Sequence, residues 1–306
     1  MAIERILVPL DGSSLAERAL PYATKLARFL NARLELARAV LPNLAREAEP
    51  SSEEIEAADR ARPELEAVAR ELRTPWLRVT CHVCYGRPAE AIVACVSRVS
   101  AGLIVMSTHG RGGIGRWIYG SVADEILRRS PVPILLVPAS SERAFTDDPI
   151  CRILVPLDGS ALAEEALGPA SELAGAAEAE LLLVRIVELP VIGEVSPYLM
   201  MDPKAELARA REYLNDIARD LRSGGLAVDV YAVTGAPPTT LPFLASERDA
   251  DLIVMATHGR GGLARLVLGS VATSTVQRST LPILLTRPAA VRRPATERSS
   301  EPATVA

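Results

Sequence analysis

The chain has 306 residues, enough for two domains at roughly 150 residues each. Apolar residues make up 49% and charged residues 24%, which excludes a largely disordered chain and lets each half bury a core. With 34 basic against 38 acidic residues the formal net charge is −4, which speaks against a general nucleic-acid binder. Residues 5–8 read as a short apolar strand, and Ser13 or Ser14 caps a helix running to about residue 30. Residues 33–40 read as a second strand. A polar loop and a helix to about residue 73 follow, with Pro63 expected at a helix start or a break. Residues 77–85 form the third strand, Gly86 and Pro88 open a helix to about residue 99, and residues 103–106 form the fourth strand. A glycine-rich loop leads to Ser121, which starts a short helix to about residue 129, and residues 133–137 form a fifth strand. The second half repeats the order at about residues 152–156, 160–175, 179–187, 203–223, 226–233, 237–246, 251–255, 270–278 and 282–286.

The halves are one sequence written twice. Arg5-Ile-Leu-Val-Pro-Leu-Asp-Gly-Ser13 recurs unchanged as Arg152 to Ser160. Thr108-His-Gly-Arg-Gly-Gly113 recurs at Thr257, Gly120-Ser-Val-Ala123 at Gly269, and Pro133-Ile-Leu135 at Pro282. The offset is 147 residues for the first block and 149 for the other three, so the copies are collinear. Alternating strands and helices imply an α/β fold in each half, a parallel sheet with helices on both faces. The expected division is a first domain over 1–138, a linker over 139–150, a second domain over 151–288, and a disordered tail over 289–306.

Aromatics are only 4%, so the core must be Leu, Val, Ile and Ala. Of the 34 basic residues only Lys25 and Lys204 are lysine, a bias that reads as genomic base composition. The N-terminus lacks a basic region followed by a long apolar one, so no signal peptide is expected. No stretch approaches about 18 uncharged apolar residues, and no membrane span is expected. Four scattered cysteines, Cys81, Cys84, Cys95 and Cys151, fit a reducing cytosol better than a disulfide framework. Cys81 and Cys84 spell C-x-x-C, but on a strand they point to opposite faces and make a poor chelate or redox pair.

Ligands of open doubly wound sheets sit beyond the carboxyl ends of the strands. Asp11-Gly12-Ser13 and Asp158-Gly159-Ser160 follow the first strand of each half. The fourth strands lead into Ser107 to Ser121 and Ala256 to Ser270, two glycine loops able to present N–H groups to an anion. Ser121 and Ser270 open helices whose N-termini favour phosphate, and Arg111, Arg116, Arg260 and Arg265 add charge. The plainer alternative is a glycine-rich turn in which Ser121 is an N-cap and Asp124 completes a capping box. Asp11 and Asp158 are either turn residues or carboxylates that hold a base or ribose. His109 and His258 flank the loops without a catalytic partner in sequence, so a packing role is expected. There is no P-loop, G-x-S-x-G, H-E-x-x-H or kinase signature, and no acidic cluster for a metal site.

Together, Val-Pro-Leu-Asp-Gly-Ser, Thr-His-Gly-Arg-Gly-Gly, Gly-Ser-Val-Ala and Pro-Ile-Leu resemble a universal stress protein domain, and both halves carry the set. The resemblance implies two tandem five-stranded sheets of order 3-2-1-4-5, so that the aspartate turn and the glycine loop share one crevice. It implies ATP as ligand, with or without Mg, bound as G-x2-G-x9-G-[ST]; Ser107 and Ala256 replace the first glycine. In the first half the implied contacts are Pro9, Asp11, Val40, Ser107, Gly110, Arg111, Gly112, Gly120, Ser121 and Val122. In the second they are Pro156, Asp158, Val187, Ala256, Gly259, Arg260, Gly261, Gly269, Ser270 and Val271. Aspartates and valines would meet adenosine, the serines phosphate. Similar proteins dimerise through their fifth strands, which implies an intrachain pseudo-dimer and leaves a homodimer of chains open. The expected function is a cytosolic, nucleotide-dependent stress regulator with at most slow hydrolysis and an unknown protein partner, without nucleic acid or membrane. An adenine-nucleotide phosphotransferase or hydrolase using His109 or His258, and a partner-binding scaffold with vestigial sites, remain as alternatives.

Overall fold

The computed structural model describes residues 3–40, 52–108, 120–141, 149–188, 202–259 and 268–287. The expected tail and residues 142–148 of the expected linker lie outside the described residues. The first repeat runs β1 (Arg5–Pro9), α1 (Ser14–Glu17), α2 (Leu20–Leu30), β2 (Arg33–Val40), α3 (Ser52–Leu72), β3 (Val79–Tyr85), α4 (Pro88–Val99), β4 (Leu103–Thr108), α5 (Ser121–Arg129) and β5 (Ile134–Pro138). The second runs β6 (Arg152–Pro156), α6 (Ala161–Glu164), α7 (Leu167–Ala177), β7 (Glu180–Val187), α8 (Pro203–Ser223), β8 (Val228–Thr234), α9 (Pro237–Glu247), β9 (Leu252–Ala256), α10 (Ser270–Arg278) and β10 (Ile283–Thr286).

All ten strands join one sheet in the order β3-β2-β1-β4-β5-β10-β9-β6-β7-β8. Each repeat supplies the order 3-2-1-4-5 with parallel neighbours, as the resemblance implied. The sheet continues through an antiparallel pair, Ile134 opposite Leu285 and Leu136 opposite Ile283. Pairing these strands covers what would otherwise be two apolar edges.

The strands are apolar on both sides because both sides are covered. Ile6 and Val8 of β1 face a core with α2 and α3, continued by α7 and α8 in the second repeat. Leu7 faces a second core with α4 and α5, continued by α9 and α10. Cys81 falls in the first core and Cys84 in the second, so the C-x-x-C straddles the sheet as its spacing dictates.

Three local readings are corrected. The first helix is two: Pro21 enters the first turn of α2, where its missing N–H is harmless, and the chain bends at Arg18 and Ala19. Pro63 lies inside α3, flanked by buried Ala61 and Leu65, so packing outweighs the lost backbone bond. Gly120, not Ser121, caps α5; its φ of 78° suits glycine, and among the described residues no side-chain cap bond forms there. Asp124 instead pairs with Arg128 at 2.7 Å, so no capping box forms.

Candidate nucleotide crevice

Parallel β1 and β4 lie side by side, and so do β6 and β9, which brings their carboxyl ends together. Pro9 and Pro156 end β1 and β6, Val40 and Val187 end β2 and β7, and Ala256 ends β9. Ser107 stands one residue before the end of β4. Gly120-Ser121-Val122 and Gly269-Ser270-Val271 begin α5 and α10, with Ser121 and Ser270 exposed. Gly110, Arg111, Gly112, Arg260 and Gly261 lie outside the described residues, as does His109.

The turn after β1 is built by one carboxylate. Asp11 Oδ1 accepts from the Ser13 amide at 2.8 Å and from the Ser13 hydroxyl at 2.6 Å. Ser13 Oγ then accepts from the Ala16 amide at 3.1 Å and caps α1. The second repeat copies this: Asp158 Oδ1 accepts from the Ser160 amide at 2.9 Å and hydroxyl at 2.6 Å, and Ser160 Oγ accepts from the Ala163 amide at 3.2 Å. Gly12 and Gly159 sit at φ of 86° and 83°, a conformation L side chains rarely adopt. In both turns the serine amide and hydroxyl meet the same carboxylate oxygen, Oδ1. In the second repeat Asp158 Oδ2 would lie 2.2 Å from a Cβ placed on Gly259. Only glycine admits that approach, and it ties the aspartate turn to the start of the glycine loop.

Two arginines missed in the sequence reading stand behind these turns. Arg38 Nε donates to the Leu10 carbonyl at 3.4 Å and its guanidinium pairs with Glu64. A Cβ on Gly12 would sit 3.0 Å from Arg38 Nη2; one on Gly159 would sit 2.7 Å from Arg185 Nη1. The sequence signal was there: each arginine interrupts an apolar strand, at the same 147-residue offset as the aspartates. Burial pushes the Asp11 carboxyl up, but the Ser13 bonds and Arg38 outweigh it and hold the group below its usual 3.8. Arg185 lies 4.8 Å from the centroid of the Tyr213 ring. Burial, then the bond from its hydroxyl to Glu164 at 2.7 Å, raises the Tyr213 pKa.

The valines and histidine are constrained too. The Val40 carbonyl accepts from the Gly86 amide at 3.0 Å, and Val187 from Gly235 at 3.0 Å. Each carbonyl keeps a second lone pair. His258 is buried, with Nδ1 3.0 Å from Thr257 Oγ1.

A turn fixed by aspartate and a helix N-terminus, both at the strand-order reversal, define a crevice beyond the carboxyl ends of the strands. The Universal stress protein family model matches residues 2–138 and again 150–287, and the chain belongs to that family as a tandem member. A universal stress protein of Mycobacterium tuberculosis is 27% identical over 217 residues, covering 69% of this chain and 70% of that protein. The crystal structure of a universal stress protein from Archaeoglobus fulgidus superposes with a TM-score of 0.67 at 20% identity, covering 93% of this chain and 96% of that one. A universal stress protein solved in complex with cAMP is 28% identical, with a TM-score of 0.36, over 46% of this chain and 100% of that one. Among the described residues no helix is long and apolar enough to cross a membrane.

Proposed function

We propose that each repeat binds one adenine nucleotide, ATP in preference, and that the chain acts in the stress response through its nucleotide state rather than by turnover. The observation that carries this reading is the contact of the Asp158 carboxylate with the Gly259 backbone, which unites the two motifs in one crevice. The residues fit the ligand. Asp11 and Asp158 offer a carboxylate oxygen to ribose hydroxyls, while Val40 and Val187 offer backbone groups to the adenine edge. Ser121 and Ser270 are exposed on uncapped helix starts, where amides and hydroxyl suit phosphate oxygens. Gly110, Arg111, Gly112, Arg260 and Gly261 complete the cradle in this proposal. The residues 1–138 and 151–288 are proposed as the two nucleotide-holding units, meeting as an intrachain pseudo-dimer through β5 and β10.

A bound nucleotide supplies the phosphates and, with them, the means to hold Mg. Among the described residues no three His, Cys, Asp or Glu side chains gather as a metal site, so the ion would arrive on the phosphates. The chain orients the ligand through Asp11 and Asp158, which this reading sets on the ribose rather than on the phosphates; His258 meets Thr257. Calorimetry of nucleotide-free protein with ATP tests the reading, with two sites per chain expected. Absence of binding at millimolar ATP overturns it.

A further inference from the structure

The first repeat carries a polar cluster beneath α4 that the crevice does not use. Cys84 on β3 and Cys95 on α4 are 4% and 2% exposed. A single nitrogen, Arg98 Nη2, donates to Cys84 Sγ at 3.4 Å and to Cys95 Sγ at 3.3 Å. Both sulfurs therefore lie within hydrogen-bonding reach of one guanidinium nitrogen. His82, on the same sheet face, bonds Glu35 Oε2 at 2.7 Å. The neighbouring Cys84, then Arg98 and His82, hold the Cys95 thiol below its usual range although burial opposes it. Cys84 is driven the other way. Strand register and the proline starts of α4 and α9 give the corresponding residues of the second repeat: Leu182, Tyr231, Val233, Leu244 and Glu247. No thiol stands there, and a carboxylate replaces the arginine. The fold thus does not need the cluster. Nor does it resemble a metal site among the described residues.

We infer that Cys95 and Cys84 form an oxidisable dithiol whose co-reactant is a small peroxide. Cys95 Sγ attacks one peroxide oxygen, the O–O bond breaks, and hydroxide leaves, taking up a proton as water. The sulfur becomes a sulfenic acid. Cys84 Sγ then attacks it, an S–S bond forms, the S–O bond breaks, and the departing oxygen leaves as water with the Cys84 proton. Two thiols and one hydrogen peroxide give one disulfide and two waters. Arg98 holds the negative charge on Cys95 before attack.

Peptide mapping of the full chain tests this. Pro88 shields the bond after Arg87 from trypsin, so residues 79–98 form one peptide with Cys81, Cys84 and Cys95. After hydrogen peroxide that peptide should lose two hydrogens, with only Cys81 still open to alkylation after denaturation. In Cys84→Ser, dimedone should trap Cys95 as the sulfenic acid. Arg98→Met should slow oxidation of Cys95 about tenfold and Arg98→Lys by much less. An unchanged 79–98 peptide under doses that oxidise exposed Cys151, a disulfide through Cys81, or an Arg98→Met rate equal to the parent would overturn the inference.

Discussion

The two repeats agree where the crevice turns and differ in what stands behind it. Asp11-Gly12-Ser13 and Asp158-Gly159-Ser160 make the same bonds, and each carboxylate accepts the serine hydroxyl at 2.6 Å. Behind them Arg38 meets Glu64, whereas Arg185 lies over Tyr213, and Glu64 and Tyr213 occupy corresponding positions on α3 and α8. On the opposite face, Glu35 and His82 of the first repeat become Leu182 and Tyr231. The turn geometry is thus separable from the way its supporting arginine is held. A carboxylate and an aromatic ring each fix the guanidinium, one by charge and the other by the ring face.

The largest effect is expected from closing one crevice alone. In Gly259→Ala the new Cβ would lie 2.2 Å from Asp158 Oδ2, so the carboxylate must leave its place against the loop. Calorimetry should then find one ATP per chain where the parent binds two. If both sites survive, the carboxylate contact is not what joins turn and loop.

The second test exchanges the buried pair on the opposite face for its second-repeat counterparts. His82→Ala leaves Glu35, whose side chain is 6% exposed, without its 2.7 Å partner. A buried carboxylate stripped of its partner costs about 3 kcal/mol, somewhat less here because His82 is partly exposed. The paired change Glu35→Leu with His82→Tyr copies the second repeat and should stay within about 1 kcal/mol of the parent, as apolar replacement of a buried pair often does. Denaturant unfolding separates the two outcomes; equal losses would mean that the repeats pack differently around these positions.

How far the sequence carried the reading follows from these same residues. Strand and helix positions were legible because apolar runs, Gly and Pro punctuate both copies at a fixed offset. The strand order was legible through the family motifs, and the aspartate turn from Asp-Gly-Ser itself. Arg38 and Arg185 were missed because their role depends on cross-strand register: Pro9 pairs with Ala37, which sets Arg38 beside Leu10. The cap of α5 was misread because serine is the better capping side chain, while the backbone at Gly120 demands a positive φ. The joint role of Cys84 and Cys95 was missed for a similar reason. Their meeting depends on α4 folding back over β3, and the nearer pair, Cys81 and Cys84, straddles the sheet.

The third test compares the glycines of the two turns. Gly12→Ala and Gly159→Ala both force an L side chain into φ above 80°, costing about 1–2 kcal/mol. Gly159→Ala should cost more, because its Cβ approaches Arg185 Nη1 to 2.7 Å while that of Gly12 reaches only 3.0 Å from Arg38 Nη2. Thermal unfolding of the two variants ranks them. Equal shifts would mean that Arg185 yields as freely as Arg38.

The smallest effect is the acid limb of the first turn. Asp11 is held below its ordinary 3.8 in the folded chain by Ser13 and Arg38, against burial. A carboxyl depressed on folding binds fewer protons folded than unfolded, so its stabilisation is complete above the unfolded value. It fades as pH falls through the lower folded value. Asp11→Asn removes this contribution and should flatten the loss of stability below about pH 4, where unfolded aspartate titrates. The group is exposed enough for solvent screening to limit the difference to about 0.5 kcal/mol. Urea midpoints measured from pH 6 down to pH 3 should therefore converge between parent and variant at the acid end. A gap that widens toward low pH would reverse the sign and remove Arg38 as a partner of the Asp11 carboxylate.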